Sequence, residues 1–170
     1  LLKAEIDETA GNAAGLIQSL VVAQPDANEN IFQTVDLSLL ERPLTSDHRQ
    51  AAVNAAGAIS YLITTSEETS DIVDAISPDS LQIPLSADSE IVAGAATDTI
   101  ERMAEDPKMA EEITEAIDLR DLEKLLRSDS DLIAGTAAAA IDNLATNAPA
   151  TAEDIVEEID LSCLEIPLQS

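Results

Sequence analysis

Apolar positions repeat along the chain with a step of about 41 residues. The pair Ile113 and Ile117, four residues apart, appears one step earlier as Ile72 and Ile76. The other apolar positions that keep this register are Ile31 and Ile155; Leu40, Leu81, Leu122 and Leu164; Leu44, Leu85, Leu126 and Leu168; and Ile59, Ile100 and Ile141. A repeat of this length predicts stacked units that bury their apolar faces against their neighbours.

The repeat predicts one domain over residues 1–170, an all-α, right-handed solenoid. Its expected parts are a partial unit at 1–29, full units at 30–70, 71–111 and 112–153, and a partial unit at 154–170. Because Leu1 and Leu168 both fall inside units, we expect an excerpt of a longer solenoid. Its end units would lack neighbours, and the apolar faces exposed there favour self-association.

Each full unit is predicted to contain a short, a medium and a long helix. The short helix should break at Asp36, at Ser77 and Pro78, or at Asp118, since Ser and Asp favour caps and turns. Prolines inside the medium helix should shorten or kink it. They are Pro43, Pro84 and Pro167.

The third helix of each unit is the longest and is rich in alanine and glycine. An aspartate recurs where its N-cap is expected, namely Asp47, Asp88 and Asp129. Prolines are expected to end it, and these are Pro25, Pro107 and Pro149. Small side chains allow close packing between neighbouring long helices.

The period, the helix order and the spacing of small and apolar residues make the chain resemble the armadillo repeat, with the HEAT repeat as the close alternative. The C-terminal stretch 137–170 carries this resemblance in the run AAAAIDNLATNAPATAEDIVEEIDLSCLEIPLQS. One feature departs from the armadillo pattern, because the glycine usual between the first two helices is replaced. Asp36, Ser77, Asp118 and Asp160 stand there. The choice between the two repeat types therefore stays open.

The resemblance implies that the long helices line a concave groove, where some armadillo proteins bind basic transport signals with a ladder of Trp and Asn. Carried over by register, the groove positions are Gly15, Ser19, Gly57, Tyr61, Asp98, Arg102, Ala139 and Asn143. We expect a partner to be bound by Ser19, Tyr61, Asp98, Arg102 and Asn143. The chain has no Trp, which argues against a ladder of that type. Packing between helices is an equally good interpretation of several of these residues.

The chain has 34 acidic and only 8 basic residues, for a formal net charge of -26. Leu, Ile, Val and Phe still make up 45 of the 170 residues, which indicates a folded protein. One interpretation of the charge is adaptation to a high-salt cytoplasm, which we favour; the other is a surface that binds a basic partner. Nucleic acid is disfavoured as a ligand because there is no basic patch.

The predicted function is a non-catalytic scaffold for a partner protein or peptide. The alternative is a HEAT-type accessory or lyase-like domain, which would need His48 or a carboxylate cluster in a cleft. His48, the only histidine, has no nucleophile motif beside it, and residues 128–131 lack the glycine of a calcium loop. We therefore expect no cofactor and no metal. The single cysteine, Cys163, precludes an internal disulfide, and without a signal peptide or a long apolar run a cytoplasmic location is expected.

Overall fold

The computed structural model describes residues 2–24, 34–65, 72 and 74–160, with side chains from residue 6 onward. This part of the chain is helical and contains no strand. The helices are α1 (Leu2–Ala23), a 3-10 helix (Leu37–Leu40), α2 (Glu41–Leu44), α3 (Arg49–Thr65), α4 (Asp79–Leu85), α5 (Glu90–Met103), α6 (Pro107–Ala116), α7 (Leu119–Leu126), α8 (Asp131–Asn147) and α9 (Ala152–Glu158). The predictions for Pro25, Ile31, Cys163, Leu164, Pro167 and Leu168 fall outside the described residues.

The four long helices form a stack in which α1 contacts α3, α3 contacts α5, and α5 contacts α8. The medium helices of the units, α2, α4 and α7, each pack on the long helix that follows them in the chain. Small residues let the long helices approach closely. A Cβ atom placed on Gly11 of α1 would lie 2.5 Å from the Cα atom of Ala51 in α3, which is closer than any real contact. The predicted all-α solenoid is confirmed.

The repeating apolar positions form one continuous core. The described members of the register that are buried are Leu40, Leu81 and Leu122; Leu44, Leu85 and Leu126; Ile72, Ile113 and Ile155; and Ile76, Ile117 and Ile159. Ile59 and Ile100 are also buried, whereas the equivalent Ile141 of α8 is only partly buried. The 41-residue register is thus the register of the core. Within the described ranges, no helix combines the length and the apolar character that crossing a membrane requires.

The aspartates predicted to cap the long helices do not occupy the cap position. Helices α5 and α8 begin at Glu90 and Asp131, and the residues directly before them are Ser89 and Ser130, whose side chains make no capping hydrogen bond. Asp88 and Asp129 lie one residue too early to accept a bond as N-caps. Before α8, the Ser128 hydroxyl accepts a hydrogen bond from the Ser130 N–H at 3.1 Å.

The second of the four long helices, α3, shows the same shift at its start. Helix α3 begins at Arg49, so His48 and not Asp47 directly precedes it. The Ser46 hydroxyl accepts a hydrogen bond from the His48 N–H at 3.0 Å, and His48 Nδ1 accepts one from the Ala51 N–H at 3.3 Å. His48 therefore acts as a helix cap, consistent with the structural role expected for it.

The prolines Pro43 and Pro84 do not shorten the medium helices as predicted. The 3-10 helix Leu37–Leu40 runs directly into α2, and α4 has seven residues against eight in the proline-free α7. Helices α2, α4 and α7 all end at the same register position, namely at Leu44, Leu85 and Leu126. The prediction for Pro107 is wrong, because α5 ends at Met103 and Pro107 is the first residue of α6. At that position proline loses no helical hydrogen bond, and its fixed φ suits the helix. The proposed unit boundary at 111/112 lies inside α6, and the unit boundaries stay a prediction.

The breaks between the first two helices of a unit use extended backbone. Asp36 and Asp118 are N-caps with φ of -73° and -82°, and their carboxylates accept hydrogen bonds from the N–H groups of Ser38 and Arg120. No described residue has a positive φ. Glycine is therefore not required at this break, which explains why Asp and Ser can replace it.

Successive units are also joined by a repeated hydrogen bond across their junction. The Glu41 carboxylate accepts from the Ser77 N–H at 2.6 Å, and one step later Gln82 Oε1 accepts from the Asp118 N–H at 2.6 Å. The third member of the series joins Glu123 to the Asp160 N–H at 3.4 Å. Each bond connects a medium helix to the break in the next unit. We call these three contacts the junction bonds.

Candidate partner-binding surface

The residues predicted to bind a partner lie on one face of the four long helices. Each helix contributes two positions four residues apart, which is about one helical turn. The long helices contact one another in order, and the step of about 41 residues places these positions at equivalent points of successive helices. We call this surface the third-helix face, and it comprises Gly15, Ser19, Gly57, Tyr61, Asp98, Arg102, Ala139 and Asn143.

Two of the five predicted partner-binding residues, Ser19 and Tyr61, are exposed, and Arg102 is partly exposed. Tyr61 is 43% exposed, and the Arg102 side chain is 34% exposed. The Ser19 hydroxyl donates a hydrogen bond to the Gly15 carbonyl at 2.8 Å within α1. An exposed aromatic ring is the kind of side chain that anchors a partner. The binding role of Tyr61 stays a prediction.

The other two residues, Asp98 and Asn143, are partly buried and bonded to neighbouring helices. The Asp98 carboxylate accepts a hydrogen bond from the Ser60 hydroxyl of α3. Asn143 Nδ2 donates to the Glu101 carbonyl of α5 at 2.9 Å. One N–H of Asn143 is thus already used in packing, as the alternative interpretation anticipated.

Bonds of the Asn143 type recur between the long helices. In each, a side chain donates to a backbone carbonyl of the preceding long helix. Besides Asn143, the donors are Asn54 to Gly11 at 2.9 Å, Thr99 to Ala56 at 3.2 Å, and Asn147 to Ala104 at 2.8 Å. These bonds fix the displacement of one long helix along its axis relative to the next. They therefore keep the positions of the third-helix face in register.

The glycines of the third-helix face are covered and do not form an open floor. A Cβ atom on Gly15 would lie 2.8 Å from the side-chain nitrogen of Asn54, and one on Gly57 would lie 2.5 Å from that of Gln18. The expected groove of small residues is therefore lined in α1 and α3 by the amides of Gln18 and Asn54.

The charged part of the face lies on α5. Arg102 Nη1 is 3.8 Å from a Glu101 carboxylate oxygen and 3.6 Å from one of Glu105, while its Nε is buried and makes no hydrogen bond. Burial is the main cause that raises the pKa of Glu101, with Arg102 opposing the shift and Asp98 and Glu105 adding to it. Two carboxylates thus lie close to the Arg102 guanidinium, and the nearby charge of Asp98 adds to theirs, which leaves this part of the face acidic.

An exposed apolar pair on the same face was missed in the sequence. Ile91 and Leu132 are 53% and 79% exposed, and they occupy equivalent positions in α5 and α8, 41 residues apart. Ile91 precedes Asp98 by seven residues, or nearly two full turns, so both lie on the same side of α5. The sequence contained a sign of this pair, since both units have an apolar residue at the same register position. Repeated apolar positions were interpreted as core positions, however, and only the structure shows that these two side chains lie outside the core.

No group of three or more His, Cys, Asp or Glu side chains in the described ranges is arranged to hold a metal ion. Residues 128–131 form a turn before α8, in which the Ser128 hydroxyl accepts a hydrogen bond from the Ser130 N–H and no side chain of Ser130 caps the helix. Carboxylates do gather around one open depression of about 440 Å³ beside the start of α4. Its lining residues are Ser77, Pro78, Asp79, Glu112, Glu115 and Ala116. His48 is not among them, and it lies before α3.

Several solved structures resemble this fold. One is a set of computationally designed armadillo repeat proteins for modular peptide recognition, with a TM-score of 0.80 and 25% identity over 93% of this chain and 67% of that chain. Another is a designed armadillo repeat protein in complex with the peptide (KR)4, with a TM-score of 0.78 and 23% identity over 96% and 68% of the two chains. The fold is an armadillo-like solenoid.

The armadillo-like solenoid also matches an engineered protein with a TM-score of 0.77 and 24% identity. That match covers 89% of this chain but 62% of the other, so the chain spans about three fifths of that protein's length. No protein-family model and no curated protein sequence matches the chain.

Proposed function

We propose that this armadillo-like protein is a non-catalytic scaffold that binds a protein or peptide on its third-helix face. The observation that carries the proposal is the exposed Tyr61 and the partly exposed Arg102 on adjacent long helices, next to an acidic cluster on α5. Large aromatic and Arg side chains commonly supply most of the binding energy at protein interfaces. The similar solved structures include designs for peptide recognition, which supports the same function here.

We propose further that the partner presents a basic segment. Three carboxylates lie on or beside the face on α5, namely Asp98, Glu101 and Glu105, against the single cation of Arg102. The net charge of -26 adds long-range attraction for a cation and repels nucleic acid. A designed protein of similar fold forms a complex with (KR)4, which makes this peptide a suitable first probe.

The test measures fluorescence anisotropy of labelled (KR)4 with the wild-type protein and with Tyr61→Ala and Asp98→Asn. We expect Tyr61→Ala to weaken binding by roughly tenfold, because an interface aromatic contributes about 1–2 kcal/mol. Asp98→Asn should weaken binding by a few fold and reduce its salt dependence, since it removes one charge and keeps the side-chain shape.

Control variants make comparable changes at exposed residues outside the third-helix face. Leu39→Ala removes an exposed apolar side chain on the 3-10 helix, and Glu157→Gln removes an exposed carboxylate on α9. Both should bind (KR)4 as the wild type does. Equal weakening by the controls would mean that net charge alone attracts the peptide, and the assignment to the third-helix face would then be wrong.

The lyase-like alternative receives no support from the position of His48. Its Nδ1 accepts a hydrogen bond from the α3 backbone, so the nitrogen that would serve as a base is used as a helix cap. We therefore retain the scaffold and do not propose a reaction.

We also propose weak self-association through α1. Ile6, Leu16 and Leu20 are all about half exposed, and at about 100° per residue they project from the same side of this helix. Exposed apolar side chains grouped on one helix favour contact between copies of a chain. Light scattering of wild type and of Leu16→Ser with Leu20→Ser tests this, and an unchanged mass at equal concentration would refute it.

A further inference from the structure

The three junction bonds differ in the charges that they bring together. In the first, the Glu41 carboxylate accepts from the N–H of Ser77, an uncharged residue. In the second, the uncharged side chain of Gln82 accepts from the N–H of Asp118. Arg42 follows Glu41 directly, but it is paired with a carboxylate of α1 at 3.5 Å. Each of these two junctions therefore holds one carboxylate and, among the described side chains, no cation paired with it.

The third junction joins two acidic residues, and a cation lies between them. Glu123 accepts from the Asp160 N–H, and Arg127 Nη2 is 2.7 Å from a Glu123 carboxylate oxygen and 3.3 Å from one of Asp160. Two steps earlier in the register, the residue at the position of Arg127 is the uncharged Thr45. Two carboxylates thus meet at a junction bond where a guanidinium bridges them, and the first junction has no guanidinium at that position.

Ser77, at the first junction, has an exposed hydroxyl that is free to react. Four serines of the described ranges are exposed, namely Ser19, Ser38, Ser77 and Ser86. The hydroxyls of the other three donate hydrogen bonds to nearby oxygens, whereas no described residue bonds to the Ser77 hydroxyl. Ser77 lies between two helices, and Pro78 follows it in the one Ser-Pro or Thr-Pro pair of the sequence.

The surroundings of Ser77 have space for a phosphate but are acidic. Ser77 borders the open depression of about 440 Å³ that Asp79, Glu112 and Glu115 also line. Lys108 lies nearby, but its ammonium is already paired with Glu112 at 3.6 Å and with a second carboxylate. A phosphate carries about -1.5 to -2 charges at neutral pH. On Ser77 it would stand beside the Glu41 carboxylate without a bridging cation.

We infer that Ser77 is a phosphorylation site and that its phosphate weakens the first junction. A protein kinase supplies the γ-phosphoryl group of a nucleoside triphosphate. The Ser77 Oγ forms the new bond to phosphorus, the bond from that phosphorus to the bridging oxygen breaks, and the nucleoside diphosphate leaves with its electron pair. The hydroxyl proton passes to the catalytic carboxylate of the kinase. The phosphate then repels Glu41, which accepts the N–H of the same residue.

This modification goes beyond the proposed function and would act on the same surface. The first junction connects the units that contain α3 and α5, and these helices carry Tyr61 and Asp98. A weaker junction changes how the two long helices are placed relative to each other. The effect on partner binding rests on the proposed function, whereas the modification and its effect on the junction do not.

Direct phosphorylation tests the site. The folded protein is incubated with MgATP and a proline-directed Ser/Thr protein kinase, and mass spectrometry locates the phosphate. We expect one phosphate on Ser77 and none on Ser77→Ala. If Ser77 takes up no phosphate while the same kinase stays active on a reference peptide, the site is wrong.

Charge variants test the effect on the junction without a kinase. Ser77→Asp should fold, since Asp36, Asp118 and Asp160 occupy the same register position. We expect it to lower the urea midpoint, as the phosphorylated protein should, because two carboxylates then meet without a bridging cation. The loss should be larger at about 0.1 M than at about 1 M salt, where the repulsion is screened. The control Ser86→Asp adds the same charge at an exposed serine outside the junction.

A double-mutant cycle identifies the cause. Glu41→Gln gives the first junction the residue types of the second, so Ser77→Asp should lose most of its effect in that background. Ser86→Asp should have the same small effect in both backgrounds. If Ser77→Asp lowers the midpoint equally with Glu41 and with Glu41→Gln, or no more than Ser86→Asp does, repulsion at the junction is not the cause and the inference is overturned. None of these measurements uses (KR)4, so this failure is distinct from a failure of the proposed function.

Discussion

A single glutamine, Gln82, joins two units by both ends of its amide. Its Oε1 accepts from the Asp118 N–H at 2.6 Å, and its Nε2 donates to an Asp121 carboxylate oxygen at 2.9 Å. Gln82→Ala removes both hydrogen bonds and leaves the Asp118 N–H to bond to water instead. We expect a loss of about 1–2 kcal/mol in the free energy of unfolding. Urea denaturation measures it, with Gln24→Ala at the exposed end of α1 as the control.

Glu101 makes stability depend on pH in a direction opposite to that of an ordinary paired carboxylate. Burial raises its pKa above the usual 4.5, so the folded state disfavours the ionised form. This cost is present at neutral pH and disappears as the pH falls through the raised pKa toward 4.5. Glu101→Gln should therefore raise the urea midpoint at pH 7, with the gain shrinking in mild acid.

The control for Glu101 is Glu111→Gln, which neutralises an exposed carboxylate on α6. An equal gain from this variant at pH 7 would assign the effect to net charge and not to burial. The comparison is informative because the chain carries so many carboxylates.

At the residue scale, the sequence predicts the type of a contact better than its position. Ser and Asp both cap helices, so the run before each long helix cannot show which residue is the cap, and Asp88 and Asp129 were placed one position early. The bond between Asn143 and the Glu101 carbonyl joins residues 42 positions apart. Such a partner depends on how two helices slide against each other, which periodicity does not determine.

Two glycines on the long helices should respond in opposite ways to the same change. Gly11→Ala places a methyl group 2.5 Å from the Cα of Ala51, which forces α1 away from α3 and should cost about 1–3 kcal/mol. Gly135→Ala meets no atom within 4 Å and should stabilise α8 by up to about 1 kcal/mol, since alanine favours the helix. Thermal melting of the two variants checks the signs. Similar shifts would contradict the close contact between α1 and α3.

At the element scale, helix order follows from the apolar register, while helix ends depend on local backbone. Pro43 and Pro84 are the second-last residues of α2 and α4, yet these helices end at the same register position as the proline-free α7, so the proline does not set the end. Pro107 starts α6, since the first position of a helix needs no N–H for a helical hydrogen bond. The residue type alone therefore does not decide on which side of a helix boundary a proline lies.

The thermal stability of the whole molecule should depend strongly on the salt concentration. Its net charge of -26 is spread over every unit, so carboxylates on adjacent helices repel one another over distances comparable to the Debye length. That length falls from about 30 Å at 0.01 M to about 3 Å at 1 M salt. The core relies on Ala, Leu and Ile, which leaves little excess stability. The melting temperature should therefore rise steeply with KCl into the molar range.

Mild acid should partly replace salt in this experiment, because it neutralises carboxylates as the pH approaches the pI of about 4.1. A melting temperature that does not change with salt would exclude the interpretation of the negative charge as an adaptation to high salt. The acidic surface would then be explained by a basic partner alone. At this scale the period alone predicts the fold, whereas the partner depends on which repeat positions reach the surface.

The junction bonds make individual amide hydrogens reporters of individual interfaces. Ser77, Asp118 and Asp160 are exposed, yet each N–H is held by a side chain of the preceding unit. Hydrogen exchange at these amides requires one junction to open and does not require the whole solenoid to unfold. Glu41→Ala should therefore accelerate exchange at Ser77 and leave Asp118 protected, so the rates record how far a disturbance at one junction travels along the stack.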